Sequence, residues 1–335
     1  MQFDRLRRRE FVTLLSSMVA WPLAAAWPFV ARAQQRGEIR RVGVLMGLEA
    51  NDPEGQSELK ALRQAFQELG RVEGRNLQLE ISWSGGDPDR IQASARELVT
   101  LPCEVIIARS TPAAAALIKE TRTIPIVFSY VGDPIGSGFV QSFPQPGGNV
   151  TGFQVYEFTL APKWLQLLME LAPSLRRVGL IHNPATAPPG FLRALDELSP
   201  SLSVQLIRAP VHNAADIDAT IAGLAREQDT GLMIMPDIFN DANHEQIAGL
   251  AAKYRLPAIY THRFDDGLIS YGPDLSDVLR RTAPYVDRIL RGEKPGELPV
   301  QAPTKYVLTI NLKIAKALRL DVPFQLQQLA DEVIE

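Results

Sequence analysis

The chain has a single cysteine, Cys103, among its 335 residues. One cysteine excludes an internal disulfide, and the apolar run Val105-Ile106-Ile107 beside it indicates a buried, inert thiol. Cys103 lies far from the apolar segment near the amino terminus, so we expect no lipid-bearing cysteine directly after that segment.

Recognisable catalytic and metal motifs are also missing. The four histidines have no paired spacing of the kind that metal sites use. The sequence contains neither a G-x-S-x-G elbow nor a G-x-x-x-x-G-K-[ST] phosphate loop. The glycines Gly43 and Gly47 lack dinucleotide-binding spacing. We therefore expect no catalytic residue, no metal and no cofactor.

Positive charge is not in excess, since the formal net charge is -3 at pH 7. A nucleic-acid partner requires a basic face, and a pair such as Arg280-Arg281 is too isolated to form one. We expect no nucleic-acid partner and a monomeric protein.

The first 33 residues differ from the rest of the chain. Paired arginines, Arg8-Arg9, precede an alanine-rich apolar stretch over residues 12–30, and Ala31-Arg32-Ala33 has the small-x-small form of a cleavage site. This pattern predicts a cleavable signal peptide over residues 1–33 and a periplasmic protein. The paired arginines favour the twin-arginine route over general secretion. A membrane anchor is the alternative, which the cleavage site disfavours.

From Arg40 onward, strand and helix patterns alternate. Apolar runs at 41–46, 104–108 and 126–128 suit buried strands, and helices with one apolar face follow them. Alternation of this kind predicts parallel sheets in an α/β fold. The alternation of strand and helix patterns begins again after Gly152, which predicts two lobes facing each other across a cleft.

The lobe boundaries follow from this restart and from the tail. The carboxyl-terminal part contains a long helix, a turn at Lys294-Pro295-Gly296 and a further strand. We predict that the first lobe contains residues 38–153 together with about 300–335. The second lobe then contains residues 154–299.

Polar residues follow predicted strands at their carboxyl ends, where open α/β sheets bind ligands. Ser110 and Thr111 open a helix at Pro112, and the free N–H groups of such a helix start attract a carboxylate. Asp133 is a candidate for receiving a ligand ammonium through a charge-assisted hydrogen bond. A plain structural cap is the alternative for each of these residues.

Six further residues at or near strand ends are ligand-binding candidates: Asn149, Thr151, Asn183, Asp237, Tyr260 and Tyr271. For Asn149 and Thr151, hydrogen bonds that stabilise a turn are an equally good interpretation. The tyrosines suit a pocket wall, but tyrosines also fill lobe cores.

Several motifs occur in a consistent order from about Arg40 to Glu335: Thr123–Phe128, Gly132–Pro134, Pro146–Phe153, Ser270–Gly272 and Asn311–Leu318. Together they resemble the ABC transporter substrate-binding family that includes tryptophan-binding-type proteins. The resemblance implies two Rossmann-like lobes of the type I periplasmic-binding-protein kind. It also implies three hinge crossings and a ligand cleft between the lobes.

The function implied by the resemblance is capture of a small organic solute, an amino acid or related carboxylate, and its delivery to ABC permease subunits in the inner membrane. An exported α/β enzyme and a ligand-sensing receptor module are the alternatives. The sequence departs from the family at Arg109, where a small residue is common, and at Asp265-Asp266, where a glycine pair is common. We expect both positions near the cleft.

Overall fold

The computed structural model describes residues 39–188, 190–199 and 202–335. The predicted signal peptide, residues 1–33, lies outside the described residues and stays a prediction. Residues 40–335 form one compact unit. In the described part of the chain, no helix is both long and apolar enough to span a membrane.

Five parallel strands form the first sheet in the order β2-β1-β3-β4-β5. Their bounds are β1 Arg40–Met46, β2 Leu77–Trp83, β3 Val105–Arg109, β4 Ile126–Val131 and β5 Val150–Gln154. The helices that connect the first four strands are α1 Pro53–Glu68, α2 Pro88–Thr100 and α3 Thr111–Glu120. Strands β3 and β4 are buried throughout because hydrophobic clusters cover both faces of the sheet, which explains their continuous apolar runs.

Local sequence determines where the first helices begin. Asp52 and Asp87 each stand before a proline, and their side chains accept hydrogen bonds from the backbone N–H groups of Gly55 at 3.0 Å and Arg90 at 2.8 Å. Proline suits the first helical turn because its missing N–H would have no helical partner there. The Asp-Pro pairs therefore fix the loops at the carboxyl ends of β1 and β2.

Seven strands form the second sheet in the order β12-β11-β10-β9-β8-β6-β7. Their bounds are β6 Arg177–His182, β7 Gln205–Pro210, β8 Thr230–Ile234, β9 Ala258–Tyr260, β10 Ile269–Pro273, β11 Tyr306–Asn311 and β12 Glu332–Ile334. Only the β10–β11 pair among these described strands is antiparallel.

Helices accompany the second half of the chain. Their bounds are α4 Leu160–Leu171, α5 Gly190–Leu198, α6 Ala214–Leu224, α7 Ile238–Ala242, α8 His244–Tyr254, α9 Leu275–Leu290, α10 Leu312–Ala317 and α11 Phe324–Leu329. A 3₁₀ turn lies at Pro295–Glu297. We call the first sheet with α1–α3 and α9 the first lobe, and the second sheet with the remaining helices the second lobe.

Helix α9 packs on α1 and on the first sheet. Its Asp287 accepts from Nε of Arg71 at 2.8 Å, and the ring of Tyr285 lies 4.9 Å from that of Phe153 on β5. The prediction that residues 154–299 all lie in the second lobe is therefore wrong for this helix. The buried face of α9 supplies the apolar area that holds it there.

The tail also differs from the prediction. Strand β11 pairs with β10, and β12 pairs with β11, so both extend the second sheet. The start of the tail touches the first lobe, where Gln301 bridges to Phe153. The assignment of residues 300–335 to the first lobe is wrong because the hydrogen-bonding edge of β10 pairs the tail with the second sheet. The chain passes between the sheets after β5, after β10 and after Gln301.

Candidate functional site

Loops at the carboxyl ends of strands in the two lobes touch each other. A Cβ atom on Gly47, which follows β1, would lie 2.5 Å from Cγ1 of Ile238 in α7. At Gly86, which lies beyond β2, an added Cβ would lie 3.1 Å from the carbonyl oxygen of the same Ile238. Glycine is needed for this close approach. The lobes are therefore in direct contact through α7.

A small cavity lies between the lobes beside this contact. It encloses about 30 Å³ and is lined by Ser110 and Tyr130 of the first lobe and by Tyr156, Asp237 and Asp241 of the second. A water molecule needs about 10–15 Å³ measured in this way. The small cavity therefore accepts only a compact chemical group.

A larger cavity of about 570 Å³ adjoins the small one, and Thr111 and Thr186 line both. Ile91, Ala116 and Phe158 provide part of its apolar wall. The volume falls within the usual range for small-molecule sites, about 300–1,000 Å³. Together the two cavities form a site with a compact polar end and a roomier body.

Two residues that line the small cavity have unusual backbone angles. Ser110 has φ of +149° and Tyr130 has φ of +61°. Such conformations cost non-glycine residues about 1–3 kcal/mol each and cluster at ligand-binding positions. The fold thus holds both residues at the cavity at a cost in stability.

Ser110 and Thr111 lie where the sequence placed them, at the start of α3. The hydroxyl oxygen of Ser110 accepts a hydrogen bond from the N–H of Ala113 at 3.2 Å, which is a helix cap. Thr111 lines both cavities. The positive end of the α3 dipole is therefore directed at the site, where it favours an anionic group.

Asp237 lines the small cavity, but its oxygens already have partners. It accepts hydrogen bonds from the hydroxyl of Thr186, from the N–H of Asn183 at 2.6 Å and from the N–H of Phe239 at 3.0 Å. Burial raises the pKa of Asp237 to about 7, although these hydrogen bonds oppose the shift. Asn183 is part of the same support, since its side-chain oxygen accepts from Ala185.

Asp133 lines the larger cavity and caps a turn. Its Oδ1 accepts from the N–H of Gly136 at 2.7 Å, and the side chain is half-buried. One carboxylate oxygen is thus engaged in the structural role that the sequence left as the alternative to ligand contact.

The remaining four candidates lie away from both cavities. Asn149 donates to the carbonyl of Ile124 at 2.7 Å, and the hydroxyl of Thr151 donates to the carbonyl of Leu298 at 2.6 Å. Tyr260 is buried in the second-lobe core, and the ring of Tyr271 lies 5.9 Å from that of Tyr306. The structure gives each of these side chains a structural contact.

A buried group of charges surrounds Arg109. Its Nε and Nη2 atoms donate to the two carboxylate oxygens of Glu58 at 2.7 and 2.8 Å. The guanidinium carbon lies 4.1 Å from the centre of the Tyr130 ring, within cation–π range. Arg109 also lines the small cavity, as expected for a position near the cleft. The residues Asp265 and Asp266 line a neighbouring cavity that Glu58 shares.

A second set of charges connects the lobes. Nε2 of His262 in the second lobe lies 3.5 Å from Oε1 of Glu54 in α1 and 3.7 Å from Oδ1 of Asp241. Burial lowers the pKa of His262, but Asp241 and Glu54 outweigh it and raise the pKa above its usual value. Burial raises the pKa of Glu54, but the nearby His262 and Arg109 outweigh burial and lower this pKa to about 2. The carboxylate of Glu54 therefore faces the imidazole of His262 across the cleft, and each group favours the charged form of the other.

Sequence reasoning missed Glu54, Glu58 and His262. One signal was available: Glu58 stands on the apolar stripe of α1, four residues before the buried Leu62. A charged residue on such a stripe requires a buried partner. Nothing local to His262 indicated that it would contact another lobe.

Two α/β lobes with facing strand ends and a cavity between them have the type I periplasmic-binding-protein-like fold. A sequence model described as "ABC transporter substrate binding protein" matches residues 42–334. The chain therefore belongs to the ABC transporter substrate-binding protein family.

Known relatives agree with this assignment. A protein of Clostridioides difficile (strain R20291) named "Tyrosine-binding protein" is 24% identical over 266 residues, which cover 77% of this chain and 75% of the relative. The crystal structure of a conserved domain protein from Vibrio cholerae is similar with a TM-score of 0.79 and 26% identity, over 88% of this chain and 100% of that one.

A third similar protein is the ABC domain from Streptococcus pneumonia in complex with L-Trp. It has a TM-score of 0.79 and 21% identity, over 88% of this chain and 99% of that chain. The two solved structures share the two-lobed fold with this chain.

Proposed function

We propose that this protein is the periplasmic component of an ABC importer, binding an amino acid or related carboxylate between its lobes and delivering it to inner-membrane permease subunits. The solute is bound without chemical conversion. The relatives named for tyrosine binding and solved with L-Trp support an amino-acid-like ligand.

The observation that carries this proposal is the position of the α3 start. Ser110 and Thr111 present the positive end of a helix to a cavity that both lobes line. A carboxylate there contacts the first lobe while the rest of the solute contacts the second. A solute that contacts both lobes stabilises the closed arrangement of the lobes. A permease then distinguishes the closed, loaded protein from the open, empty one.

A thermal-shift screen of the purified protein tests the ligand class. The panel contains L-amino acids, short carboxylic acids and aromatic acids, with neutral sugars as the comparison set. A ligand at a hundredfold excess over its Kd stabilises the folded state by about 2.7 kcal/mol. Stabilisation by sugars and by no carboxylate would contradict the proposal.

Location is tested separately by cell fractionation. We expect the mature protein in the periplasmic fraction, beginning at or near Gln34. Substitution of both Arg8 and Arg9 by Lys blocks export only if the twin-arginine route is used. Retention of Met1 in the exported protein would contradict the predicted cleavage.

A further inference from the structure

Arg109 has one guanidinium nitrogen that lacks a partner. The side chain is fully buried, and Glu58 occupies its Nε and Nη2 atoms. Among the described residues, Nη1 finds no hydrogen-bond acceptor. A buried donor on a cation destabilises a protein unless it is hydrogen-bonded. The nitrogen is therefore suited to an acceptor that comes from outside the chain.

The guanidinium is fixed in place by its surroundings. The Tyr130 ring lies 4.1 Å from its central carbon, and the Tyr130 hydroxyl donates to Glu58 at 2.6 Å and lies 3.1 Å from the carbonyl oxygen of Leu275. Glu58 and Tyr130, which contact the guanidinium, are therefore held in place by their own hydrogen bond to each other. A donor that is already ordered loses little conformational entropy when it binds a ligand.

Arg109 lies in the small cavity next to the α3 start. Arg109, Ser110 and Thr111 are consecutive residues, and all three line the cavity of about 30 Å³. The guanidinium and the helix dipole therefore both favour an anion at this place. A carboxylate is compact enough for such a space and brings two acceptor oxygens.

Acidic residues lie on the opposite wall of the cavity, and their carboxylates already lie beside hydrogen-bond donors or cations. Asp237 accepts from Thr186 and two backbone N–H groups, and Asp241 lies 3.7 Å from His262. Glu54 lies 3.8 Å from Nη2 of Arg109 and 3.5 Å from His262. Asp237 thus has its own donors, whereas Asp241 and Glu54 lie beside the same nitrogen of His262, and Glu54 does not line this cavity.

We propose that Arg109 determines ligand specificity by donating from Nη1 to a carboxylate oxygen of the solute, which enters the small cavity carboxylate first. The remainder of the solute occupies the larger cavity. This inference rests on the proposed binding function and adds a requirement to it: the buried end of the solute carries a free carboxylate, and a carboxamide is a poor replacement.

Calorimetric titration with paired probes tests the inference. The probes are L-amino acids and short carboxylic acids, each paired with its primary amide. The Arg109→Lys variant keeps a cation beside Glu58 but removes the Nη1 donor. We expect this variant to bind the acids about ten- to a hundredfold more weakly, the value of one charge-assisted hydrogen bond. Its affinity for the amides should change much less.

The Glu58→Gln variant should act in the opposite direction. It removes a negative charge next to the guanidinium, so the acids should bind more tightly and the preference for acid over amide should increase. Arg288→Lys is the matched control, because Arg288 also forms a two-oxygen contact, with Glu293, on the exposed end of α9. It should leave both affinities unchanged. Melting temperatures without probe show whether each variant is folded.

The outcomes distinguish this inference from the proposed function. If the wild type binds acids and Arg109→Lys weakens acids and amides equally or not at all, the role of Arg109 is overturned while the binding function stands. If the wild type binds none of the acids, both fail. Opposite shifts in Arg109→Lys and Glu58→Gln, confined to the acids, support the inference.

Discussion

Individual ionisable residues at the cleft are buried, so their protonation is coupled to folding. Asp237 is the simplest case because burial is the main cause of its shift, raising the pKa from 3.8 to about 7. Between these two values the folded protein keeps a proton that the unfolded chain has released. The free energy of unfolding therefore falls as the pH rises through this window.

The Asp237→Asn variant tests this coupling. Asparagine keeps the shape and one acceptor oxygen but does not titrate, so we expect the wild type to lose about 1.4 kcal/mol per pH unit relative to the variant between about pH 4 and 7. Urea unfolding of both proteins across this range measures the difference. Loss of the hydrogen bond from Asn183 in the variant adds only a constant offset. A difference that does not change with pH would contradict the expected coupling.

Asp133 separates a structural from a binding role at one position. Because its Oδ1 accepts from Gly136, Asp133→Ala should lower the free energy of unfolding by about 0.5–2 kcal/mol, the usual value of a cap. Asp133→Asn retains a capping oxygen and should have little effect on stability. Thermal melts check both changes, and Asp87→Ala, which removes the α2 cap, is the control.

The solute affinity of Asp133→Ala and Asp133→Asn tests whether Asp133 contacts the ligand. A ligand ammonium at Asp133 predicts weaker binding in both variants, by about ten- to a hundredfold. Unchanged affinity in Asp133→Asn would restrict this residue to its capping role.

At the scale of elements, α9 is held to the first lobe by a buried carboxylate. Asp287 is 4% exposed and forms ion pairs with Arg71 at 2.8 Å and Arg291 at 2.7 Å. We expect Asp287→Ala to cost about 1–3 kcal/mol, because the partly buried Arg71 loses its partner. Denaturant unfolding measures the loss.

The exposed pair of Arg288 and Glu293 is the control for Asp287. Glu293→Ala should cost less than about 1 kcal/mol, as surface ion pairs usually do. Equal losses in the two variants would mean that burial of Asp287 adds nothing to its contribution.

The sequence predicted most elements because their signals are local. Each signal lies within a few neighbouring residues: an apolar run marks β3 and β4, and a proline marks the start of α1 and α2. The lobe that the tail joins was predicted wrongly, since it depends on β11 pairing with β10 across more than thirty residues. No periodicity in either strand specifies that partner.

The site was predicted only in part for the same reason. Ser110 and Thr111 could be predicted from their position between a strand and a proline. The contact between Arg109 and Glu58 joins residues 51 positions apart, and its geometry depends on the packing of α1 against the sheet. For Asn149 the sequence left two interpretations open, and the structure has the hydrogen bond to backbone that one of them requires, because an amide beside a turn bonds to the backbone as readily as to a ligand.

At the scale of the whole molecule, closure depends on Gly47. In Gly47→Ala the new methyl group meets Ile238 at 2.5 Å and a backbone oxygen at 3.1 Å, so the lobes should remain partly open. We expect weaker solute binding and a larger radius of gyration in solution scattering with solute present.

A second variant tests the cause. Gly47→Ala combined with Ile238→Ala removes the clashing side chain and should restore part of the closure. Gly249→Ala is the control, because a Cβ at Gly249 has no neighbour within 4 Å. Failure of the double variant to recover any affinity would place the defect in the loop rather than between the lobes.

The contact between Ile238 and Gly47 also has a consequence for the speed of capture. The small cavity beside it has room only for a compact group while the lobes touch, although the adjoining cavity is larger, so we expect separation of the lobes to speed entry into the small cavity. Capture then takes two steps, entry while the cleft is open and closure around the solute, and such a required conformational change lowers the rate of association. A tighter fit between the two residues would slow both arrival and departure of the solute, and a looser fit would hasten both. Because Ile238 also lines the small cavity, the side chain at position 238 is a place where residence time is adjusted from the wall of the site itself.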